Sequence, residues 1–426
     1  MIFKFTMMLY RFLAGAFFNL GGLKILKRKY KNDVLERMGI IKNVPSDCIW
    51  VHAVSVGEVQ SASSLIREIK NNSDLPCIIS TVTPTGRDTA VKLLSGIVDK
   101  IIYSVWDYKK FVKLAIENIQ PKIYITMETE LWPELLTQLH SKNIPVYLAN
   151  GRISEKSFKR LKKTAWFWKN ILSCFNKLMV RFEEDREKFL TLGVPDEKII
   201  ITGDCKVDTL LNRRDETSGN EWDWLKTEGG KLFVAGSTHQ GEDEIIISAF
   251  RMVRKKFQKS KLVIVPRHPE RSLMSIASVL PYSDLQAELF SKLPDENERD
   301  SKNFDVLVID KIGMLFSLYA AADAVFVGGS LVDKGGQNPF EPALFGLKTI
   351  HGPYMTDFPD TDRMDTMKAA QCVHSDFELA RAWGESLSAE ERKKAQTACK
   401  KYFNTLGGAA KKTWQAVEEN LNALEI

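Results

Sequence analysis

The sequence predicts an α/β protein with two doubly wound parallel sheets. Short apolar runs rich in β-branched residues alternate with helical stretches, which is typical of parallel strands covered by helices on both faces. The pattern occurs twice, and 426 residues exceed the roughly 250–300 that one core usually holds. The predicted strands are 49–54, 77–80, 122–126, 146–150 and 198–203 in the first half, and 231–236, 261–266, 305–310 and 324–329 in the second.

A polar stretch separates the two sets of predicted strands. It has no apolar period and ends in Gly-Gly, so we interpret it as a linker. The charged, helical end of the chain could pack back on the first domain. The expected divisions are an N-terminal segment (1–40), a first Rossmann-like domain (41–211), the linker (212–230) and a second Rossmann-like domain (231–426).

Composition excludes some classes of protein and leaves others open. The net charge of +6 suits an anionic partner such as a nucleotide, a phospholipid surface or a phosphorylated substrate. Scattered surface lysine explains it equally well, and it is too small to indicate nucleic acid. Six cysteines without a CxxC pair and six histidines without HExxH indicate neither a disulfide framework nor a metal site, and favour a reducing compartment.

The first 23 residues are apolar and are followed by a basic run. Lys4 and Arg11 interrupt the ~20 consecutive apolar residues that a transmembrane helix needs, and no convincing signal-peptide cleavage site follows. An apolar helix followed by basic residues favours association with the cytoplasmic face of a membrane. The alternative is a helix that packs on the protein's own core. The basic residues are Lys24, Lys27, Arg28, Lys29 and Lys31.

Two loops that follow predicted strands in the first half carry acids. In HAVSVGE (52–58), Gly57 permits a tight turn and Glu58 begins a helix, where the helix dipole favours a carboxylate that can take a proton. Alone, this signal is weak and favours a simple helix start. In TMETELWPELL (126–136), Glu128 and Glu130 precede Trp132, an arrangement that suits either a sugar site or an ordinary helix cap.

A basic and aromatic stretch follows at 149–170. Lysine and arginine lie beside phenylalanine and tryptophan there, which fits a membrane headgroup region or the phosphates of a lipid. A solvated helix face with core aromatics is an equally good interpretation. The candidate acceptor or lipid contacts are Arg152, Lys159, Arg160 and Lys162.

Three loops in the second half suggest a nucleotide site. VAGSTHQGEDEII (234–246) offers a small-residue turn before a helix, whose N–H groups can bind phosphate. IVPRHPER (264–271) brings Arg267, which can bind a phosphate through two parallel hydrogen bonds. FVGGSLVDKGGQNPFEPALFG (326–346) ends near Glu341, whose carboxylate can accept both ribose hydroxyls. Each loop is also consistent with an ordinary α/β turn.

Taken together, the motifs resemble one family, the 3-deoxy-D-manno-octulosonic acid (Kdo) transferases of lipopolysaccharide and lipid A synthesis. The resemblance runs from the apolar N-terminus past residue 360, and eight motifs in order carry it. They are HAVSVGE (52–58), TVTPTGRD (81–88), METELWPEL (127–135), NGRISEKS (150–157), GDCKVD (203–208), AGSTHQGEDE (235–244), PRHPER (266–271) and GGQNPFEPA (335–343).

The resemblance implies a GT-B glycosyltransferase fold, with two Rossmann-like domains facing a cleft and an N-terminal membrane-associated helix (1–40). It implies that the first domain (41–211) binds the acceptor and the second (231–426) binds CMP-Kdo. It implies inverting, metal-independent transfer of Kdo from CMP-Kdo to the lipid A precursor lipid IVA, without a cofactor, at the cytoplasmic side of the inner membrane. It carries the base to Glu58 and a second functional acid to Glu130, with Glu128 as second choice. The CMP contacts carried over are Lys206, Gly236, Ser237, Arg267, Gly329, Asn338 and Glu341.

The chain departs from the family pattern on the nucleotide side, which leaves individual donor contacts open. Gln337 stands where His is frequent, Met314 where Glu is frequent, Tyr354 where His is common and Asp357 where Asn is usual. The alternatives are another GT-B nucleotide-sugar enzyme of envelope synthesis and a non-catalytic membrane-surface binding protein. The sequence leaves open the number of Kdo units, the acceptor's acylation and the oligomeric state.

Overall fold

Two compact units make up the chain, and each contains one seven-stranded parallel sheet. The computed structural model describes residues 2–30, 33–294 and 300–424. Unit 1 comprises Met1–Thr209 and Leu406–Ile426, and unit 2 comprises Leu210–Thr405. The chain therefore leaves unit 1 once and returns to it.

The strands of both sheets are parallel and doubly wound. In unit 1 the order is β3-β2-β1-β4-β5-β6-β7, and in unit 2 it is β10-β11-β9-β8-β12-β13-β14. The strands are β1 (Cys48–His52), β2 (Cys77–Thr81), β3 (Lys100–Tyr103), β4 (Pro121–Met127), β5 (Val146–Gly151), β6 (Lys177–Val180), β7 (Ile199–Ile201), β8 (Leu232–Thr238), β9 (Lys261–Pro266), β10 (Ala287–Leu289), β11 (Val306–Val308), β12 (Ala324–Val327), β13 (Thr349–His351) and β14 (Ala370–Cys372).

Helices connect the strands and cover both faces of each sheet. A π-helical turn, Phe18–Gly22, joins the first two. The helices are α1 (Ile2–Phe17), α2 (Leu23–Lys29), α3 (Val34–Arg37), α4 (Val56–Asn72), α5 (Pro84–Leu94), α6 (Lys109–Ile119), α7 (Pro133–Ser141), α8 (Glu155–Lys163), α9 (Ala165–Leu172), α10 (Glu183–Thr191), α11 (Cys205–Asp215), α12 (Asp243–Arg254), α13 (Ser272–Ala277), α14 (Leu315–Ala321), α15 (Phe340–Leu344), α16 (Thr361–Thr366), α17 (Asp376–Ser386), α18 (Ala389–Leu406) and α19 (Ala409–Leu424).

The predicted α/β class and the doubly wound pattern are confirmed. A strand lies at each of the nine predicted positions. Five further strands, β3, β6, β10, β13 and β14, have only three or four residues each, and several mix polar with apolar side chains. Runs of three or four residues are too short to show a recognisable hydrophobic periodicity, so the sequence does not reveal these strands.

The stretch at 212–230 belongs to unit 2 in the structure. It contains the end of α11 and a 3-10 turn at Asn220–Leu225, and Trp222 and Leu225 are buried in that unit's core. Two buried side chains three residues apart leave no periodic signal, which is why the sequence of this stretch resembled a linker.

Helix α1 has one face on the core of unit 1 and one face exposed. Met7 is buried in that core, the Tyr10 hydroxyl donates to Asp107 Oδ2 at 2.7 Å, and Arg11 Nε lies 2.7 Å from the fully buried Glu134. No helix in the described ranges has the length and hydropathy to cross a bilayer. The exposed apolar residues of α1 are Ile2, Phe5, Met8, Leu9, Phe12, Leu13 and Phe17, and Leu20 follows in the π-helical turn.

The last helix, α19, packs on unit 1, on the face of the sheet that α4 covers. Trp414 and Val417 are buried in the same cluster as residues of β1, β4 and α4. The Asp208 carboxylate accepts hydrogen bonds from the Gly408 and Ala410 amides at 2.6 and 2.7 Å. That carboxylate therefore fixes the start of α19.

In unit 2, one buried carboxylate organises the loops that follow β8 and β12. Glu242 is fully buried and accepts four backbone N–H bonds, of 2.7–3.0 Å. One donor is His239, in the turn that precedes α12, and the others are Gly329, Ser330 and Leu331, after β12. Glu242 therefore holds the two loops together.

We expect Glu242→Gln to loosen both loops, because an amide has one acceptor oxygen and its NH₂ group would face N–H donors. Losing two charge-assisted hydrogen bonds should lower the free energy of unfolding by about 2–4 kcal/mol. Thermal unfolding of the full chain measures the loss, and faster amide exchange at residues 328–331 locates it. Glu244→Gln, on the exposed face of α12, is the control. Equal stability of the two variants would contradict this role.

Candidate functional site

The acids of unit 1 lie on loops that follow two neighbouring strands. β1 pairs with β4 in parallel, with His52 opposite Thr126, so the loops after them leave the same edge of the sheet. Glu58 is on the first loop, and Glu128 and Glu130 are on the second. Burial, followed by the charges of Glu58 and Glu128, raises the pKa of Glu130, which agrees with three carboxylates on neighbouring loops. We call Glu58, Glu128 and Glu130 the acidic cluster.

Glu58 is held in the first turn of α4 and is 8% exposed. Its Oε2 accepts from the Val54 amide at 2.8 Å and its Oε1 from the Ser55 hydroxyl at 3.0 Å. Such bonds are common for a carboxylate in the first turn of a helix. Each oxygen nevertheless has a second lone pair that can accept a hydrogen bond from a substrate hydroxyl. Burial raises the pKa of Glu58, which makes it a stronger base than an ordinary carboxylate.

Glu128 lies between two cations and has a strained backbone. Its φ is +54°, in the left-handed region that non-glycine residues seldom adopt. Its carboxylate lies 2.9 Å from Arg152 Nε and 3.3 Å from Lys206 Nζ. Two cations already compensate its charge, so Glu128 is better suited to positioning them than to taking a proton.

Glu130 is the acid of this cluster that titrates near neutrality. Burial, followed by the charges of Glu58 and Glu128, raises its pKa to about 7. A group with this pKa can gain and lose a proton at physiological pH. Glu130 also lines a cavity, so it can meet a ligand there.

The cavity beside Glu130 has a volume of 520 Å³ and a mixed lining. Trp132 and Trp168 contribute aromatic surface, and Arg152 and Arg160 contribute positive charge. Such a lining suits a ligand that has both apolar and anionic parts. Of the four predicted acceptor contacts, the structure thus brings Arg152 and Arg160 to the cavity.

The other two predicted acceptor contacts lie on α8 outside the cavity lining. Lys159 and Lys162 are exposed, and Lys162 Nζ lies 6.0 Å from the centre of the Phe158 ring. His52 is fully buried, and burial lowers its pKa to about 4, so it is neutral. This agrees with a structural role for His52.

The seven predicted donor contacts fall in both units. Lys206 lies in unit 1, beside Glu128, and a Cβ atom at Gly57 would be 3.8 Å from its Nζ. The other six lie in unit 2. They form two groups, one around Tyr319 and one around His239.

The first group is formed by Gly236, Asn338 and Glu341. A Cβ atom at Gly236 would lie 2.0 Å from the hydroxyl of the buried Tyr319, so glycine is required for packing there. The Asn338 amide lies 3.4 Å from Glu341 Oε1. Burial raises the pKa of Glu341, while the charge of Arg213 opposes that rise. A carboxylate and an amide side by side suit the hydroxyls of a ribose.

The second group is basic. The His239 and His268 rings are perpendicular, with centroids 6.0 Å apart. Gly329 has φ +67°, and a Cβ atom there would lie 3.1 Å from His239 Cδ2. Burial lowers the pKa of His239, and nearby His268, Arg271, Lys334 and Arg267 lower it further. Ser237, with φ +56°, lies at an irregularity near the end of β8, two residues before His239.

The backbone N–H groups of this region are less available than their sequence suggested. Glu242 already accepts from the His239 and Gly329 amides, and it stands directly before α12. An anionic ligand in unit 2 would therefore rely on side chains, chiefly Arg267 and its basic neighbours.

Sequence reasoning missed Glu242, His239 and Lys334. His239 and Glu242 lie inside the motif AGSTHQGEDE, where the small residues drew attention instead. Lys334 lies directly before Gly335, in a loop where glycine and Glu341 give the stronger sequence signal. Among the described residues, no group of three or more His, Cys, Asp or Glu side chains is placed to hold a metal ion.

Comparison with known proteins identifies the family of this chain. Residues 32–209 match the family described as 3-deoxy-D-manno-octulosonic-acid transferase (kdotransferase). The chain is 36% identical to the 3-deoxy-D-manno-octulosonic acid transferase of Haemophilus influenzae over 354 residues, which are 81% of this chain and 80% of that protein. It is 35% identical to a bifunctional glycosyltransferase/methyltransferase of Fusobacterium nucleatum over 73% of this chain and 48% of that protein.

Solved structures support the fold alone. A UDP-N-acetylglucosamine 2-epimerase superposes with a TM-score of 0.60, covering 90% of this chain and 97% of that one, at 15% sequence identity. The predicted GT-B fold class is thus confirmed, with two seven-stranded parallel sheets. With the motifs and the match to the Haemophilus protein, this leads to one conclusion: the chain belongs to the 3-deoxy-D-manno-octulosonic acid transferases, which are glycosyltransferases.

Proposed function

We propose that this protein transfers Kdo from CMP-Kdo to the lipid A precursor lipid IVA, with inversion at the anomeric carbon and without a metal ion. Family membership supports the sugar and the reaction class. The observation that carries the proposal is the acidic cluster of Glu58 and Glu130 beside a 520 Å³ cavity with an aromatic and basic lining.

The acceptor is a lipid with phosphorylated sugars, and the cavity of unit 1 suits that chemistry. Arg152 and Arg160 would pair with phosphate, while Trp132 would contact a sugar face. Glu130, when ionised, would accept a hydrogen bond from an acceptor hydroxyl.

In the proposed reaction, Glu58 takes the proton of the acceptor hydroxyl. The oxygen attacks the anomeric carbon of Kdo, and the bond from that carbon to the phosphate oxygen breaks. The electron pair leaves with CMP, whose phosphate Arg267 stabilises. Attack opposite the leaving group inverts the configuration, and the proton remains on Glu58 until solvent removes it.

We further propose that α1 docks on the cytoplasmic face of the inner membrane. Its outward residues form one apolar face, on which Phe5, Phe12 and Leu13 are 58–70% exposed. Lys24 and Arg28, on α2, are exposed and can attract anionic lipids. Lys31, the last member of the predicted basic run, lies outside the described residues.

The direct test is an assay with CMP-Kdo and tetra-acylated precursor, resolved by mass spectrometry. We expect a product heavier by one or more Kdo residues, together with release of CMP. Replacing CMP-Kdo by UDP-N-acetylglucosamine is the control for donor class. A folded protein that binds CMP yet yields no heavier lipid would contradict the proposal.

We expect Glu58→Ala to lower kcat by about 10²–10⁴-fold, the usual contribution of a general base. Because Glu58 also bonds Val54 and Ser55, the melting temperature and CMP affinity must be measured alongside. Loss of turnover with CMP affinity retained supports the base. Glu68→Gln, on the same helix, is the matched control and should leave kcat unchanged. Near-normal turnover in Glu58→Ala would exclude this role.

Replacing Phe5, Phe12 and Leu13 together by Ser should weaken binding to anionic vesicles at least about tenfold, because burial of each side chain is worth about 1.5–3 kcal/mol. Vesicle flotation measures the change. The matched control replaces three exposed apolar residues of unit 2, Leu273, Leu280 and Phe377, by Ser. If both triple variants floated like the unaltered protein, α1 would not be the docking element.

A further inference from the structure

The basic group of unit 2 has more positive charge than a single phosphate requires. The His239 and His268 rings lie 6.0 Å apart, and a Cβ atom at Gly329 would lie 3.1 Å from His239. The Arg267 amide donates to the Thr238 carbonyl at 3.0 Å, next to His239 in sequence. The Gly336 amide donates to the Gly329 carbonyl at 2.9 Å, so the segment that carries Lys334 also lies beside this pair of histidines. Arg271 also lies there, but its guanidinium is bonded to Asp243 Oδ2 at 3.0 Å and to the Thr238 carbonyl at 3.1 Å. Arg271 therefore positions the loop rather than binding a ligand.

Two full positive charges remain available to a ligand. Within the described ranges, neither Arg267 nor Lys334 forms an ion pair, and both are exposed. Glu242, the buried acid that joins the loops after β8 and β12, already accepts its four N–H donors. A ligand with two anionic groups would match this charge.

The sugar of this family has its acid group at the reacting carbon. An octulosonic acid is a keto acid, so in its ring form the carboxylate is attached to the anomeric carbon. In a nucleotide-linked donor, the same carbon also bears the phosphodiester. A site for the phosphate therefore has the carboxylate beside it, and an unpaired carboxylate there would be costly to desolvate.

We propose that Lys334, His239 and His268 form a subsite for the sugar carboxylate of the donor, while Arg267 serves the phosphate. The subsite rests on the proposed function, and it would explain how the protein selects its donor. Nucleotide sugars without an anomeric carboxylate would leave Lys334 without a partner.

The histidines suit this role because of their surroundings. His239 has a buried Nε2 with no hydrogen-bond partner among the described residues. A neutral imidazole can offer one N–H to a carboxylate without adding charge beside Arg267 and Lys334. The 6.0 Å between the two rings lets each contact a different side of one bound group.

The test compares the affinities for CMP-Kdo and for CMP, which lacks the sugar carboxylate, by calorimetry on the full chain without acceptor. We expect Lys334→Met and His268→Gln each to weaken CMP-Kdo binding about tenfold, the loss of one charge-assisted hydrogen bond. Their affinity for CMP should change less than about twofold. Arg267→Met should weaken both ligands. His374→Gln, an exposed histidine elsewhere in unit 2, is the matched control.

Three outcomes would overturn the subsite. If Lys334→Met lowered the affinities for CMP-Kdo and CMP equally, Lys334 would contact the phosphate and not the sugar carboxylate. Unchanged affinity for both would mean that it does not touch the donor. If the unaltered protein bound neither ligand, the proposed function would fail together with the subsite. If the unaltered protein transferred Kdo but Lys334→Met gave either of the first two results, only the subsite would be refuted.

Discussion

The loops of unit 2 depend on one buried carboxylate, that of Glu242. Four N–H donors from two loops converge on it. A buried charge is tolerated only when it is fully hydrogen-bonded, so the loops must keep the geometry that supplies those donors. Close approach also constrains the chain, because a Cβ atom at Gly328 would lie 2.6 Å from the Ser237 carbonyl.

This constraint changes how unit 2 can bind an anion. Helix starts after a glycine-rich turn often bind phosphate through free N–H groups. Here the protein's own acid occupies the His239 and Gly329 amides. An anionic ligand of unit 2 would then be bound by side chains, which can distinguish ligands by the number and position of their charges.

In unit 1, too, a buried carboxylate fixes a loop by accepting backbone N–H groups. Asp107 accepts the Glu134 and Leu135 amides at the start of α7, at 2.9 and 2.8 Å, and also the Tyr10 hydroxyl. Burial raises the pKa of Asp107 to about 6. Asp107 therefore fixes the loop that bears Glu130 at the point where α7 begins. The same carboxylate also accepts a hydrogen bond from α1, through Tyr10.

Sequence could predict the fold class because the central strands are long apolar runs. It could also single out Glu58 and Glu130, since each follows such a strand. It could not show that Lys206 lies beside Glu128, and the CMP contact that the family pattern assigns to Lys206 stays a prediction. Nor could it reveal Glu242 or Asp107, because their partners lie up to 97 residues away and no local pattern records such contacts.

The return of the chain to unit 1 has a consequence for biosynthesis. Trp414 and Val417 complete one face of the first sheet, yet they are translated after all of unit 2. While the ribosome makes unit 2, the apolar side chains of α4 and β1 on that face lack their final cover. Unit 2 is continuous in sequence and can finish folding first. The nascent chain thus presents an unfinished first sheet for nearly half of its synthesis, which is when a chaperone would be most needed.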